Sequence, residues 1–223
     1  MRSLPRSGRS LTSAVLLAAA VVMLFDRSVS GAAVALTATV CARGIDTFPG
    51  DGVFDSVFVN GPCSLFAAPA SVTMASEERV AVEFPFSGSS LNPWLLQSLP
   101  ALTGATLVLS PSGGATGNVG LAADEAVEVW IYYGDGTISV DDLHTAGKVF
   151  TALLNGPTAD GAVSIAIGAK PLTLAMNPKL HRAPAYLGVM LKARRGVSPV
   201  SLGFAGADAA TPVTSRPRLQ LIF

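Results

Sequence analysis

Apolar and polar residues alternate with period two in several stretches of this 223-residue chain. In residues 78–87, valines and phenylalanines fall on one face while Arg79 and Glu83 fall on the other. This alternation predicts a strand with one buried face and one face in water. Similar patterns predict about nine strands, at residues 34–42, 78–87, 103–110, 125–133, 148–154, 162–169, 186–194, 200–205 and 216–223.

Helical patterns are scarce. Residues 171–180 predict a short helix and residues 140–145 predict a single turn, and neither has the length of a crossover between parallel strands. Clusters of Gly, Pro, Asn and Asp separate the predicted strands. The sequence therefore predicts an all-β fold, a two-sheet antiparallel sandwich or jelly roll, as a single domain over residues 34–223.

The N-terminal region has the order of a secretory signal peptide. Arg2, Arg6 and Arg9 come first, an apolar run covers residues 11–25, and small residues follow at 28–33. The apolar run is shorter than the roughly 20 residues of a membrane-spanning helix. We therefore expect residues 1–33 to be removed and the mature protein to be secreted, extracellular or periplasmic, with no membrane insertion.

Cys41 and Cys63 both lie in the predicted mature chain. Because export brings the chain into an oxidising compartment, a single disulfide between them is the first interpretation. Two buried thiols or a metal site are the alternatives. A metal is the weaker one, because no histidine lies near and two sulfurs do not complete a tetrahedral shell. No cofactor is expected.

The charge of the mature chain argues against a nucleic-acid partner. Loss of residues 1–33 removes four arginines and one aspartate from a formally neutral chain, which leaves a net charge of −3. Residues 34–142 hold twelve acidic side chains and two arginines, whereas residues 143–223 hold nine basic and two acidic ones. Either the two halves interleave in one fold, or they form a dipolar surface that promotes weak self-association.

Residues 134–143, GDGTISVDDL, resemble half of a calcium loop. The positions that should hold the entry ligands are Ile131 and Tyr133, so a turn between two strands is the better interpretation. A weak site using Asp135, Asp141 or Asp142 stays open. His144 and His181 have no ligand or nucleophile at a useful spacing, and no G-x-S-x-G motif occurs. We therefore predict no catalytic site.

The predicted strand at 125–133 carries the candidate binding residues. Glu128, Trp130 and Tyr132 share the face opposite its valines. An exposed Trp and Tyr two residues apart, beside a carboxylate, would form a platform on which sugar rings stack. The alternative is that a loop or the 171–181 segment covers this face and makes Trp130 part of the core.

Four stretches together resemble the DNRLR-type domains, exported bacterial β-sandwich modules associated with PEP-CTERM surface proteins. They are ERVAVEF at 78–84, LTGATLVL at 102–109, YGDGT at 133–137 and SRPRLQL at 215–221. The resemblance implies a non-catalytic, jelly-roll-like sandwich, which in some relatives is attached to polysaccharide-active enzymes and is thought to bind carbohydrate.

Two functions follow as expectations. The first is a secreted, non-enzymatic module that binds a polysaccharide, a surface glycan or another extracellular surface component. The second is a structural or matrix protein that self-associates without a small ligand.

Overall fold

Strands dominate the described part of the chain. The computed structural model describes residues 33–46, 54–59, 63–67, 77–85, 101–110, 123, 126–155, 162–175, 186–194, 200–207 and 210–223, without the side chains of 63–67 and 200–202. These residues lie within one compact unit, Ala33–Phe223. Its strands are β1 (Ala33–Thr37), β2 (Val40–Asp46), β3 (Ser56–Val59), β4 (Cys63–Ala67), β5 (Glu77–Pro85), β6 (Gly104–Leu109), β7 (Ala126–Gly134), β8 (Val149–Asn155), β9 (Val163–Gly168), β10 (Tyr186–Ala193), β11 (Val200–Phe204) and β12 (Arg218–Ile222).

The strands form two antiparallel sheets, as the alternating pattern predicts. One sheet has the order β1-β12-β6-β9, the other has the order β3-β2-β5-β10-β7-β8, and β11 pairs with β4. Setting aside β2, β3 and the β4–β11 pair leaves eight strands. Numbered 1 to 8 along the chain, they read 1-8-3-6 in one sheet and 2-7-4-5 in the other. That order is a jelly roll, with a β2–β3 hairpin added at one edge.

The core between the sheets is apolar. Alternate residues of β9 are buried, namely Val163, Ile165 and Ile167, and the residues between them are exposed. Phe84 and Leu107, from opposite sheets, are completely buried in the same cluster. This inner core confirms the predicted all-β sandwich.

A second apolar cluster covers the other face of the six-stranded sheet. We call this the outer face, and we call residues 135–148, which connect β7 to β8, the cover segment. Ile138 and Leu143 of the cover segment pack on Ala42, Ala81 and Met190 of the sheet. All eight residues of β5 from Glu77 to Phe84 are buried. The prediction that one face of this strand lies in water was therefore wrong, because the cover segment packs on that face.

Other differences from the prediction are local. The stretch at 34–42 divides, because β1 pairs with β12 in one sheet while β2 pairs with β3 and β5 in the other. The strands β3 and β4 were not predicted. The helix predicted at 171–180 begins earlier, as α1 (Ala169–Ala175), and residues 176–180 lie outside the described residues. The turn predicted at 140–145 is a 3-10 turn at Asp141–Leu143.

Two expectations concern cysteines and charge. Cys41 is buried in β2, but the side chain of Cys63 lies outside the described side chains, so the disulfide stays a prediction. Lys192 from the basic half lies 3.9 Å from Glu77 of the acidic half. This ion pair agrees with the interpretation that the two halves interleave.

Candidate functional site

The predicted binding residues lie on the outer face, in rows that run across the strands. Glu83, Gly188 and Tyr132 form one row on β5, β10 and β7. The next row contains Ala81, Met190, Trp130 and Phe150, and the third contains Arg79, Lys192 and Glu128. The register therefore surrounds each predicted residue with partners that are distant in sequence.

Trp130 and Phe150 form an aromatic ledge at the β7–β8 edge. Their rings meet edge to face, with centroids 5.4 Å apart. Phe150 is 49% exposed, and Trp130 is partly buried against the outer cluster. The strand register shifts between Val129 and Trp130, and such bulges re-aim side chains at sheet edges. The ledge thus presents one exposed ring, supported by a second.

Glu128 belongs to the same ledge. The Trp130 indole N–H donates a hydrogen bond to Glu128 Oε2 at 3.2 Å. This bond fixes the carboxylate beside the aromatic pair and satisfies the indole donor. Structure and prediction agree that Glu128 and Trp130 lie on one face.

Tyr132 does not join the ledge. It is only 5% exposed, and the Lys148 ammonium lies 3.9 Å above the centroid of its ring. From β10, a Cβ atom at Gly188 would lie 2.2 Å from the ring. Tyr132 is therefore enclosed between the cover segment and β10, and its ring is not a stacking surface.

Next to Tyr132 lies a buried carboxyl group, Glu83. It has no solvent exposure, and its Oε2 accepts a hydrogen bond from the Gly136 N–H at 2.7 Å. A Cβ atom at Gly134 would lie 2.5 Å from Oε1, so a larger residue there would displace the carboxyl group. Oε1 has no hydrogen-bond partner in the described part of the chain. Burial raises the pKa of Glu83 from 4.5 to about 7, and the nearby charges of Asp142 and Asp135 act in the same direction.

A cleft of about 410 Å³ opens beside this cluster, between the cover segment and α1. Burial lowers the pKa of Lys148 on its wall, against the pull of Asp142 and Glu83. The cleft has the size of a small-ligand site. Its lining residues are Ile131, Tyr132, Tyr133, Asp142, Ala146, Gly147, Lys148, Val149, Leu174 and Ala175.

The acidic residues of the cover segment shape its turns. Asp135 Oδ1 accepts the Thr137 N–H at 2.8 Å, and Asp142 Oδ2 accepts both the N–H and the hydroxyl of Ser139, at 2.8 and 2.9 Å. These bonds agree with the predicted turn. Among the residues that the structure describes, no three Asp, Glu, His or Cys side chains are grouped as metal ligands.

At the far end of the outer face, Arg79 anchors the cover segment. Its Nη1 donates to the Leu143 carbonyl at 2.5 Å, and its Nη2 lies 2.6 Å from Glu77. The guanidinium also lies 4.9 Å from the centroid of the Phe54 ring. A paired, stacked arginine of this kind has a structural role.

Three residues of the site were missed in the sequence. Phe150 lies in a correctly predicted strand, but only the register places it beside Trp130. Period two places Glu83 on the solvent face of its strand, and Lys148 is the first residue of the strand predicted at 148–154. Their importance comes from the cover segment, whose position no local pattern predicts.

Comparison with protein-family models gave no match, and a search of curated proteins gave none either. No helix in the described residues has the length and hydrophobicity needed to cross a membrane.

Proposed function

We propose that this protein is a secreted, non-catalytic module that binds carbohydrate through the Trp130–Phe150 ledge. The observation that carries the proposal is the 49% exposure of Phe150 on top of a second aromatic ring. A lone exposed ring does not by itself indicate binding, but Phe150 adjoins a second aromatic ring and a carboxylate, and this combination suits a binding surface.

The ledge has the two kinds of group that a sugar needs. The C–H face of a pyranose ring packs on an exposed aromatic ring, as other apolar surfaces do. The Glu128 carboxylate, held by the indole N–H, has further lone pairs that accept hydrogen bonds from hydroxyl groups. The exposed aromatic group would be Phe150, supported by Trp130, in place of the predicted Trp130–Tyr132 pair.

The cleft supports the same function. Lys148 donates, Asp142 accepts, and Leu174 and Ala175 provide an apolar wall. A few polar groups on a mostly apolar lining suit a neutral, hydroxyl-rich ligand. The signal-peptide pattern and the resemblance to DNRLR-type domains support an extracellular glycan as the partner, and a Cys41–Cys63 disulfide would suit that compartment.

A matched pair of variants tests the proposal. Phe150→Ala and Phe58→Ala each remove a phenylalanine of similar exposure, 49% and 51%, from opposite edge strands of one sheet. The purified protein is run through native gels that contain a panel of soluble polysaccharides. We expect one polysaccharide to retard the wild type and the Phe58 variant but not the Phe150 variant. Equal retardation of both variants would contradict the proposal, and so would a panel with no retardation of a folded wild type.

A second candidate function has its own observation. Phe58 and Val59 are exposed on β3, which is an edge strand of the six-stranded sheet. An apolar edge strand is a template for pairing with a second copy of the chain. A structural protein that self-associates there should sediment as larger species in the wild type and as a monomer in Phe58→Lys. A monomeric wild type at high concentration would end this alternative.

A further inference from the structure

Polar contacts tie the cover segment to the sheet, and one of them ends on a buried carboxyl. Arg79 holds its C-terminal part through the Leu143 carbonyl. Glu83 holds its N-terminal part through the Gly136 N–H. A carboxyl group is costly to bury in its charged form, so the second tie depends on protonation.

The residues around Glu83 fit closely against its carboxyl group. Gly134 leaves room for Oε1, and Gly136, with φ of 95°, turns its N–H towards Oε2. A side chain at Gly136 would also collide with the Tyr186 ring. Gly134 of β7 and Gly136 of the cover segment thus leave space for the Glu83 side chain.

Among the described residues, the charged and titratable groups that face Glu83 come from β7 and the cover segment, while the neighbouring strand β2 places Val40 opposite it. From β7 comes the Tyr132 hydroxyl, which is buried and forms no hydrogen bond of ordinary geometry within the described residues. From the cover segment come Asp135, Asp142 and Lys148. The neighbouring strand β10 contributes only Gly188 to this row. The two negative charges of Asp135 and Asp142 outnumber the positive charge of Lys148. An ionised Glu83 carboxyl is therefore poorly stabilised by its neighbours.

We infer that Glu83 is a proton-dependent latch: its neutral carboxyl keeps the cover segment packed on the outer face, and release of the proton to solvent loosens that segment. The neutral carboxyl still accepts the Gly136 N–H and has an O–H to offer Tyr132. The ionised carboxyl gains from access to water, which only an open cover segment gives.

The consequence for ligands rests on the proposed function. The cover segment carries Asp142 and Lys148 to the cleft, so loosening it displaces two of the polar groups that would bind a sugar there. We expect glycan affinity at the cleft to fall as the pH rises through neutrality. The latch itself is tested without any glycan, so its failure and that of the proposed function remain distinguishable.

Hydrogen exchange of the Gly136 amide in the whole, ligand-free protein tests the latch. Protection factors, corrected for the intrinsic pH dependence of exchange, are compared at about pH 5 and about pH 8. We expect a fall of about tenfold or more in the wild type, since one unit of pKa difference is a factor of ten. Glu83→Gln, which keeps the acceptor and loses the charge, should show no fall. Glu78→Gln, a carboxyl on the opposite face of the same strand, should respond as the wild type does.

A measurement on the wild type alone guards against a variant that fails to fold. The ¹³C resonance of the Glu83 side-chain carboxyl reports its titration in the same sample. The latch requires that this titration and the loss of Gly136 protection share one midpoint. Separate midpoints, or constant protection across the range, would overturn the inference.

Discussion

The two faces of the six-stranded sheet are built on different principles. The inner face carries large aliphatic and aromatic residues that interdigitate with the other sheet, such as Phe84 and Leu187. The outer face carries small residues, Ala42, Ala81 and Gly188, beneath a long connection, and it also buries Glu83 and Arg79. The inner face stabilises the fold, whereas the outer face has room for a polar cluster, a cleft and an aromatic ledge.

The largest expected effect is a difference in unfolding free energy between core variants of the two faces. Phe84→Ala removes a fully buried side chain from the inner core and should cost about 3–5 kcal/mol of unfolding free energy. Leu143→Ala removes an equally buried side chain of the cover segment and should cost less, about 2 kcal/mol, because that segment can relax. Urea denaturation measures both. Equal costs would mean that the outer cluster is as much a part of the folding core as the inner one.

The second prediction concerns pH, where only the outer face should respond. The pKa of Glu83 is raised from 4.5 to about 7, so between these values the folded state binds a proton that the unfolded state has lost. The unfolding free energy therefore falls as pH rises from 4.5 to 7, by at most about 3 kcal/mol, and this contribution is constant above.

Glu83→Gln isolates that contribution. We expect the variant to match the wild type at about pH 4 and to exceed its stability at about pH 8 by up to the same amount. Urea titrations at several pH values measure the difference between the two proteins. A difference that does not change with pH would show that Glu83 ionises normally in the folded state.

The smallest effect tests the close fit under Tyr132. In Gly188→Ala, the new Cβ atom meets the Tyr132 ring at 2.2 Å, and such overpacking costs about 1–3 kcal/mol. Adding Tyr132→Leu should recover part of that loss, with a coupling energy of about 0.5–3 kcal/mol. Gly168→Ala is the control, since its nearest neighbour would be Pro171 at 4.0 Å. Additive costs at Gly188 and Tyr132 would contradict the fit.

The difference between the inner and outer faces also explains which features of the structure the sequence could predict. The inner face follows period two, so the nine predicted strands and the all-β sandwich were found from residues such as Val163, Ile165 and Ile167. The strand β3 was missed because its four residues carry too little periodicity, and β4 is recognised only by its pairing with β11. The division of 34–42 was missed because both parts read as one apolar strand, although Thr39 lies between two strands of different sheets.

The outer face could be predicted only in part. Sequence places Glu128, Trp130 and Tyr132 on one face, and they do share it. Sequence does not reveal that the cover segment buries Tyr132 and Glu83 while leaving Phe150 exposed. The burial of these side chains depends on where a connection of fourteen residues, 135–148, packs on the sheet. Local periodicity carries no information about such packing.

The most direct test of the central claim follows the Trp130 indole N–H by NMR during titration with a bound polysaccharide. The resonance is assigned by its loss in Trp130→Phe. Because this N–H donates to Glu128 within the ledge, the account predicts that its resonance shifts with the same saturation curve as binding. Binding that leaves this resonance unmoved would place the glycan elsewhere and contradict the account.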